Sequence, residues 1–255
     1  MKFSSYTSAF NLVKMGFDWQ NSLLNYSQFM DEVVLAINKS EDNTFEVLSN
    51  FIQEKGIANI ILCQCDFDYQ DLAFDGKIKN FALQHTSGDI KISCDIDERF
   101  PFYQKALWRS VGEYLLSQRD VSAFLIPSIN LCGDIYHYKD IGYKWYMHKE
   151  GLFRGIANFA KKKDGKIDTD KSDTCELIDS NGELITSLMF NNSIENLRQG
   201  ETPYVFHYWA ISKEQRNRQN DFWQPVWSNR AGKEVNNKTD FSKIIVKQHG
   251  LQINE

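Results

Sequence analysis

The chain alternates between short runs of continuous apolar residues and longer runs in which apolar positions recur every three or four residues. "KFSSYTS" (Lys2 to Ser8) is short and β-leaning, while "EVVLAIN" (Glu32 to Asn38) is too evenly hydrophobic to keep one face in water and reads as a buried strand. Between them, "WQNSLLNYSQFM" puts Trp19, Leu23, Tyr26 and Met30 on one side of a helix. "SEDNTFEVLSNFIQEKG" supplies helix-start residues, Glu46 for the first turn, apolar Phe45, Leu48, Phe51 and Ile52, and a stop at Gly56. "ANIILCQC" is the next strand, "GKIKNFALQHTSGD" a shorter helix, and "IKISCD" a further strand that runs into acids. This β-α-β-α-β-α-β order predicts an α/β fold, a mostly parallel central sheet with right-handed crossovers and helices on both faces. Ligands on such sheets bind beyond the C-terminal strand ends, so the loops starting at Asn38, Asp66 and Asp95 are expected to share one rim.

After Pro101, "FYQKALWRSVGEYLLSQ" predicts an amphipathic helix with Leu107, Val111, Tyr114 and Leu115 as its core face. "VSAFLIPSINLCGDIYHYK" reads as strands and "YKWYMHKEGLFRG" as another. From Lys161 to Ser180 the chain turns polar and charged, which predicts an exposed loop, and "SKEQRNRQNDFWQPVWSNRAGKEV" predicts a helix followed by irregular structure. No internal repeat or long linker interrupts the 255 residues, enough for one large domain with a C-terminal extension.

Composition narrows the function classes. A net charge of -5 argues against a nucleic-acid binder built on a broad basic face, so an anionic ligand needs local positive charge or a metal. Aromatic content of 14% is high and admits stacking or sugar-facing surfaces. Cys63, Cys65, Cys94, Cys132 and Cys175 are odd in number and lack zinc-like spacing, which predicts free thiols in a reducing cytoplasm. The N-terminus carries no signal-peptide pattern, and no stretch approaches the roughly 20 apolar residues of a membrane span.

The chemistry concentrates in "IKISCDIDE", where Asp95 and Asp97 share a side if the extended conformation continues past the strand end. Two like charges so placed are costly unless water or a cation lies between them. Hard divalent ions take one or two carboxylates plus substrate phosphates, so the pair suits Mn²⁺ or Mg²⁺ holding a diphosphate. A helix-capping role competes, and Glu98 before Pro101 suits a helix N-terminus. Neither GxGxxG nor GxxxxGK[ST] is present, so a phosphate ligand on this sheet has to be neutralised in another way.

"YTSAFNLVK", then "DEVVLAINKSEDNT", then "GKIKNFALQHTSGDIKISCDIDE", with "TPYVFHYWAISKEQR" downstream, resemble a GT-A glycosyltransferase of the family 2 type over residues 3 to 215. The resemblance implies a Rossmann-like GT-A fold, with residues 1–100 the nucleotide-sugar-binding half, 101–215 the acceptor-binding half and 216–255 a C-terminal tail. It implies that Asp95 and Asp97 are the DxD pair that binds Mn²⁺ or Mg²⁺ and the donor diphosphate, with His207 completing the metal site. Phe10, Asn11, Asn38, Asp66, Lys79 and Asp95 fall in the nucleotide-sugar contact set, Asn38 standing where many relatives carry an Asp toward the base. Ser40, Asp42 and Thr44 match an "SxDxT" turn.

The activity so implied is transfer of a sugar, with inversion, from a nucleotide-sugar donor, a UDP- or GDP-sugar, to a glycan or other hydroxyl acceptor. Such a reaction needs a general base, for which "CGDIYHYKDIGYKWYMHKEG" offers Asp134, Asp140 and Glu150, with Asp134 preferred because it follows a glycine at the end of an apolar run. Tyr143, Trp145 and Tyr146 are candidates for an aromatic acceptor wall, and Lys144, Lys149 and Arg154 for phosphate steering, against core packing and a solvated face respectively. The rivals are a non-catalytic carbohydrate- or nucleotide-binding relative, a nucleotide-sugar hydrolase, and a nucleotidyltransferase, which would want a glycine-rich loop that "SAFNLVKMGF" lacks.

Overall fold

The computed structural model describes residues 1–71, 73–149, 151–156, 174–179, 181, 185, 187–232, 234, 239 and 241–253. Its first half is built from β1 (Phe3–Ala9), α1 (Leu12–Met15), α2 (Trp19–Phe29), β2 (Glu32–Asn38), α3 (Thr44–Glu54), β3 (Ile60–Cys65), α4 (Phe74–Gln84) and β4 (Ile90–Ser93). These four strands pair in parallel in the order β3-β2-β1-β4. Every residue of β2 is buried, as an evenly apolar strand covered on both faces should be. The predicted side of α2 is buried at Trp19, Leu23 and Tyr26, with Met30 buried just past its end.

The second half adds β5 (Glu98–Arg99), α5 (Lys105–Ser117), β6 (Ala123–Cys132), β7 (His137–His148), β8 (Leu152–Ile156), β9 (Thr174–Ile178), β10 (Ser187–Met189), α6 (Ile194–Arg198), β11 (Val205–Ala210), α7 (Lys213–Ala231) and β12 (Lys247–Gln248). β7 inserts antiparallel between β4 and β6, and β11 lies parallel to β6, so the sheet continues β4-β7-β6-β11-β5. The sheet is therefore mixed, because the hairpin linking β6 to β7 needs no crossover helix. Pro127 in β6 coincides with a register shift against β7, which absorbs its missing N–H.

Two expectations change. Tyr114 is 55% exposed, and α5 instead buries Trp108, Val111, Gly112 and Leu115. Gly112 is required there, since a Cβ would lie 2.4 Å from Cζ of Phe3. The stretch read as one loop from Lys161 to Ser180 contains β9, paired antiparallel with β8; residues 157–173 and 180 lie outside the described residues. The last helix, α7, forms where a helix is predicted, and its Trp223 packs against Phe10 at the end of β1. Among the described residues no helix is long and apolar enough to cross a membrane.

Candidate functional site

The C-terminal ends of β1, β2, β3 and β4 share one rim, since all four run in the same direction. The loop after β1 is locked from the loop after β2. The amides of Asn11, Leu12 and Lys14 donate to Ser40 Oγ, Thr44 Oγ1 and Asp42 Oδ2, at 3.1, 2.9 and 2.9 Å. The SxDxT side chains thus satisfy the first-turn N–H groups of α1, which have no partner within their own helix. In return Asn11 Oδ1 accepts from the amide of Glu41 at 2.8 Å, and Asn11 adopts the left-handed conformation at φ 49°.

Asn38 is spent on structure. Its Oδ1 accepts from the amide of Phe67 at 2.8 Å and its Nδ2 donates to the Phe67 carbonyl at 3.0 Å, so the side chain clamps the loop after β3. Asp66 lies on the surface beside Lys39, 3.4 Å away. Phe10 is buried among the rings of Tyr69, Phe74, Phe222 and Trp223. Of the six residues expected to contact a nucleotide sugar, Lys79 and Asp95 touch directly: Lys79 Nζ lies 3.1 Å from Asp95 Oδ1 and 3.4 Å from Ser93 Oγ, with its side chain 5% exposed.

The acids are placed by a turn, not by continued extension. β4 ends at Ser93, the amide of Glu98 donates to the Asp95 carbonyl at 3.1 Å, and Glu98 Oε2 accepts from the amide of Asp95 at 2.8 Å. Buried Glu98 therefore closes the turn, and the expectation that it begins a helix is corrected. The Tyr26 hydroxyl also donates to the Asp95 carbonyl, and burial raises the pKa of that phenol well above its usual value. Asp95 consequently faces Lys79 on α4, while Asp97 faces β11, whose Tyr208 amide donates to the Asp97 carbonyl at 2.8 Å.

There His207 Nε2 lies 3.4 Å from Asp97 Oδ2. The other ring nitrogen, Nδ1, donates to Asn130 Oδ1 at 2.6 Å, and Asn130 Nδ2 donates to Asp140. Because the amide oxygen of Asn130 must accept, the neutral imidazole carries its proton on Nδ1 and turns the lone pair of Nε2 toward a carboxylate oxygen. A proton or a metal ion between the two would satisfy both. The donor set thus fits a divalent ion held by Asp97 and His207. Among the described residues no three metal-ligating side chains gather, and Asp95, expected beside Asp97 as a metal ligand, pairs with Lys79. Further positions on the ion would fall to water and substrate oxygens.

Asp134 sits on the β6–β7 turn, four residues beyond the Asn130–His207 register. Its carboxylate accepts from the amides of Tyr136 and His137 at 2.7 and 2.9 Å and from His137 Nδ1 at 2.8 Å. Loss of water works to raise its pKa, but these hydrogen bonds hold it below the usual carboxylate range. The group caps its turn and keeps its side chain 48% exposed. Glu150 and the side chains of Lys144, Trp145, Tyr146 and Arg154 lie outside the described residues.

Two participants carried no role in the sequence reading. Asn130 looked like one polar residue in an apolar strand, and only its pairing with His207 reveals it. Arg216, on the first turn of α7, stacks its guanidinium 4.6 Å from the centre of the Trp209 ring. Burial pulls its pKa down and the charge of Asp97 opposes that pull, so the guanidinium stands within electrostatic reach of the proposed metal carboxylate.

Comparison with protein-family models and with curated proteins gives no match. Among solved structures the chain is similar to S. aureus TarS, also solved with UDP-GlcNAc, at 21% identity and a TM-score of 0.38, covering 52% of this chain and 38% of that one. It is similar to the mannosyltransferase PcManGT from Pyrobaculum calidifontis in complex with GDP-Man and Mn²⁺, at 19% identity and a TM-score of 0.39, covering 49% and 35%. A third is glucosyl-3-phosphoglycerate synthase from Mycobacterium tuberculosis with Mn²⁺ and UDP, at 17% identity and a TM-score of 0.32, covering 51% and 43%. The chain thus spans less than half the length of each of these proteins.

Proposed function

We propose that this chain is a metal-dependent GT-A glycosyltransferase that moves a sugar, with inversion, from a UDP- or GDP-sugar to an acceptor hydroxyl. The observation that carries the reading is the Asp97–His207 pair, with its proton placement fixed by Asn130, at the rim of a parallel α/β half-sheet. A divalent ion, Mn²⁺ or Mg²⁺, would be held by Asp97 and His207 and would supply Lewis-acid stabilisation of the departing diphosphate. Lys79 holds the Asp95 carboxylate in a fixed orientation beside that site. Arg216 adds positive charge on the side of Asp97, where negative charge develops on the leaving group.

Proton removal from the acceptor is assigned to a carboxylate other than Asp134. Asp140, joined to His207 through Asn130, is bound into the metal-side network and serves orientation. The commitment of Asp134 to its turn favours a second reading, a binder that holds a nucleotide sugar without turnover.

Isothermal titration of UDP, GDP and their common sugars, with and without Mn²⁺, separates these outcomes. Metal-dependent binding of one nucleotide, lost in both Asp97→Asn and His207→Ala, supports the site, and transfer to a glycan acceptor distinguishes enzyme from binder. Equal binding with and without metal would sink the proposed metal centre.

A further inference from the structure

Beyond α7 the chain comes back as a strap, residues 247–253. β12 pairs antiparallel with β7 at Tyr138 and His137, and the amide of His249 donates to the Tyr136 carbonyl at 3.2 Å. From α6 the Arg198 guanidinium donates to the carbonyls of His249 and Gln248, at 2.8 and 3.3 Å. Leu251 and Ile253 pack on an apolar cluster that includes Ile129 and Phe206. These two residues pair in register and directly precede Asn130 and His207, so they lie on the opposite face of their strands. The strap is thus a back wall for the strands that carry the candidate metal site.

His249 pins the strap. The residue is 1% exposed, and its ring lies 5.4 Å from that of Phe206. Its Nε2 is 2.7 Å from the Ile135 carbonyl oxygen, and its Nδ1 is 3.0 Å from the Leu251 amide nitrogen. A carbonyl only accepts and a backbone N–H only donates, so both roles are fixed. The docked ring is neutral, donating from Nε2 and accepting at Nδ1. A second proton, on Nδ1, would point at the N–H of Leu251 and remove that hydrogen bond. The surrounding groups oppose it as well. Burial, then Arg198 on α6 and His137 at the start of β7, disfavour the charged ring; the bond to Ile135 and the charge of Asp134 on the β6–β7 turn favour it, and the pKa is held below its usual value. The Asp134 carboxylate is itself engaged with His137 and two turn amides.

We infer that His249 is a pH-sensitive latch, whose protonation releases residues 247–253 from the β6–β7 turn and uncovers the back of the strands that hold Asn130 and His207. The latch is complete above the ordinary histidine pKa of about 6.5, where the ring is neutral whether docked or free. Below it, the free ring takes a proton that the docked ring does not. The released fraction therefore rises by about tenfold per pH unit until the lowered docked value is reached. This device does not rest on the nucleotide-sugar reading.

Amide hydrogen exchange of the full 255-residue chain, between pH 7.5 and 5 and corrected for the intrinsic pH dependence of exchange, tests the latch. The reporters are the amides of His249 and Leu251, with Val34 and Leu35 in the buried strand β2 as the reference for global unfolding. The opening constant at the strap should be flat above about pH 6.5 and rise about tenfold from 6.5 to 5.5, while the β2 amides stay unchanged. His249→Gln keeps a donor and an acceptor but takes up no proton, so its strap should open to the same extent at every pH. A flat wild-type profile, a rise shared equally by β2, or the same rise in His249→Gln would each overturn the inference. If the variant leaves the strap open throughout, the wild-type ring decides: its carbon-bound proton resonances should titrate below about 6.5, and a midpoint at or above that value would overturn the latch.

Discussion

Glu32 offers the best-determined perturbation in the molecule. Its carboxylate, at the start of β2, accepts from Lys2 Nζ at 2.7 Å, Ser4 Oγ at 2.6 Å, and the amide and hydroxyl of Ser87, each at 2.7 Å. The residue therefore ties β1, β2 and the loop before β4 together at the end of the sheet opposite the ligand rim. Burial works to raise its pKa, but the hydrogen bonds outweigh it and pull the group from 4.5 down to about 2. At about 1.4 kcal/mol per pH unit, that shift corresponds to about 3 kcal/mol of stability. Because the folded-state pKa is depressed, this contribution is complete above the unfolded value and disappears as pH falls toward the folded one. Urea unfolding of wild type and Glu32→Gln should differ by about 3 kcal/mol at pH 7, about 2 kcal/mol near pH 3.5 and under about 1 kcal/mol near pH 2.5. A gap that stays constant across that range, or one below about 0.5 kcal/mol at pH 7, would refute the assignment of stability to the ionised carboxylate.

Asn130→Leu should weaken Mn²⁺ binding by about 10- to 100-fold in titration calorimetry while leaving the fold in place, since it removes the acceptor that fixes the His207 tautomer. Lys79→Met should cost about 2–3 kcal/mol in denaturant unfolding by leaving Asp95 uncompensated, and Asp95→Asn in the same chain should recover most of it; no recovery would mean that Lys79 acts through something other than this pair. Gly112→Ala should destabilise by about 1–3 kcal/mol in the same assay, because the added methyl meets the Phe3 ring at 2.4 Å in a packed core.

Hydrophobic patterning along the chain was sufficient for β1 to β4, α2, α3 and α5, and for the prediction that Asn38, Asp66 and Asp95 begin loops on one rim. These are local signals: a buried strand and an amphipathic helix each announce themselves within about a dozen residues. The acids of "DIDE" were legible for the same reason. The face of α5 was misjudged at Tyr114 because an aromatic at helical spacing resembles a core residue, and here it lies exposed, stacked on Phe124.

What the partners of those acids are was decided only by the tertiary structure. Asp97 meets His207 across 110 residues of chain because β11 pairs with β5, and Asn130 joins them because β6 lies on the other side of β11. No periodicity encodes such a contact. The same holds for Asn38, whose amide clamps Phe67, and for α7, whose polar inward face looks like a solvated helix in one dimension. Sequence determines which side chains carry charge and hydrogen-bonding capacity. Strand order and register decide which of those groups spend that capacity on the fold and which keep it for a ligand.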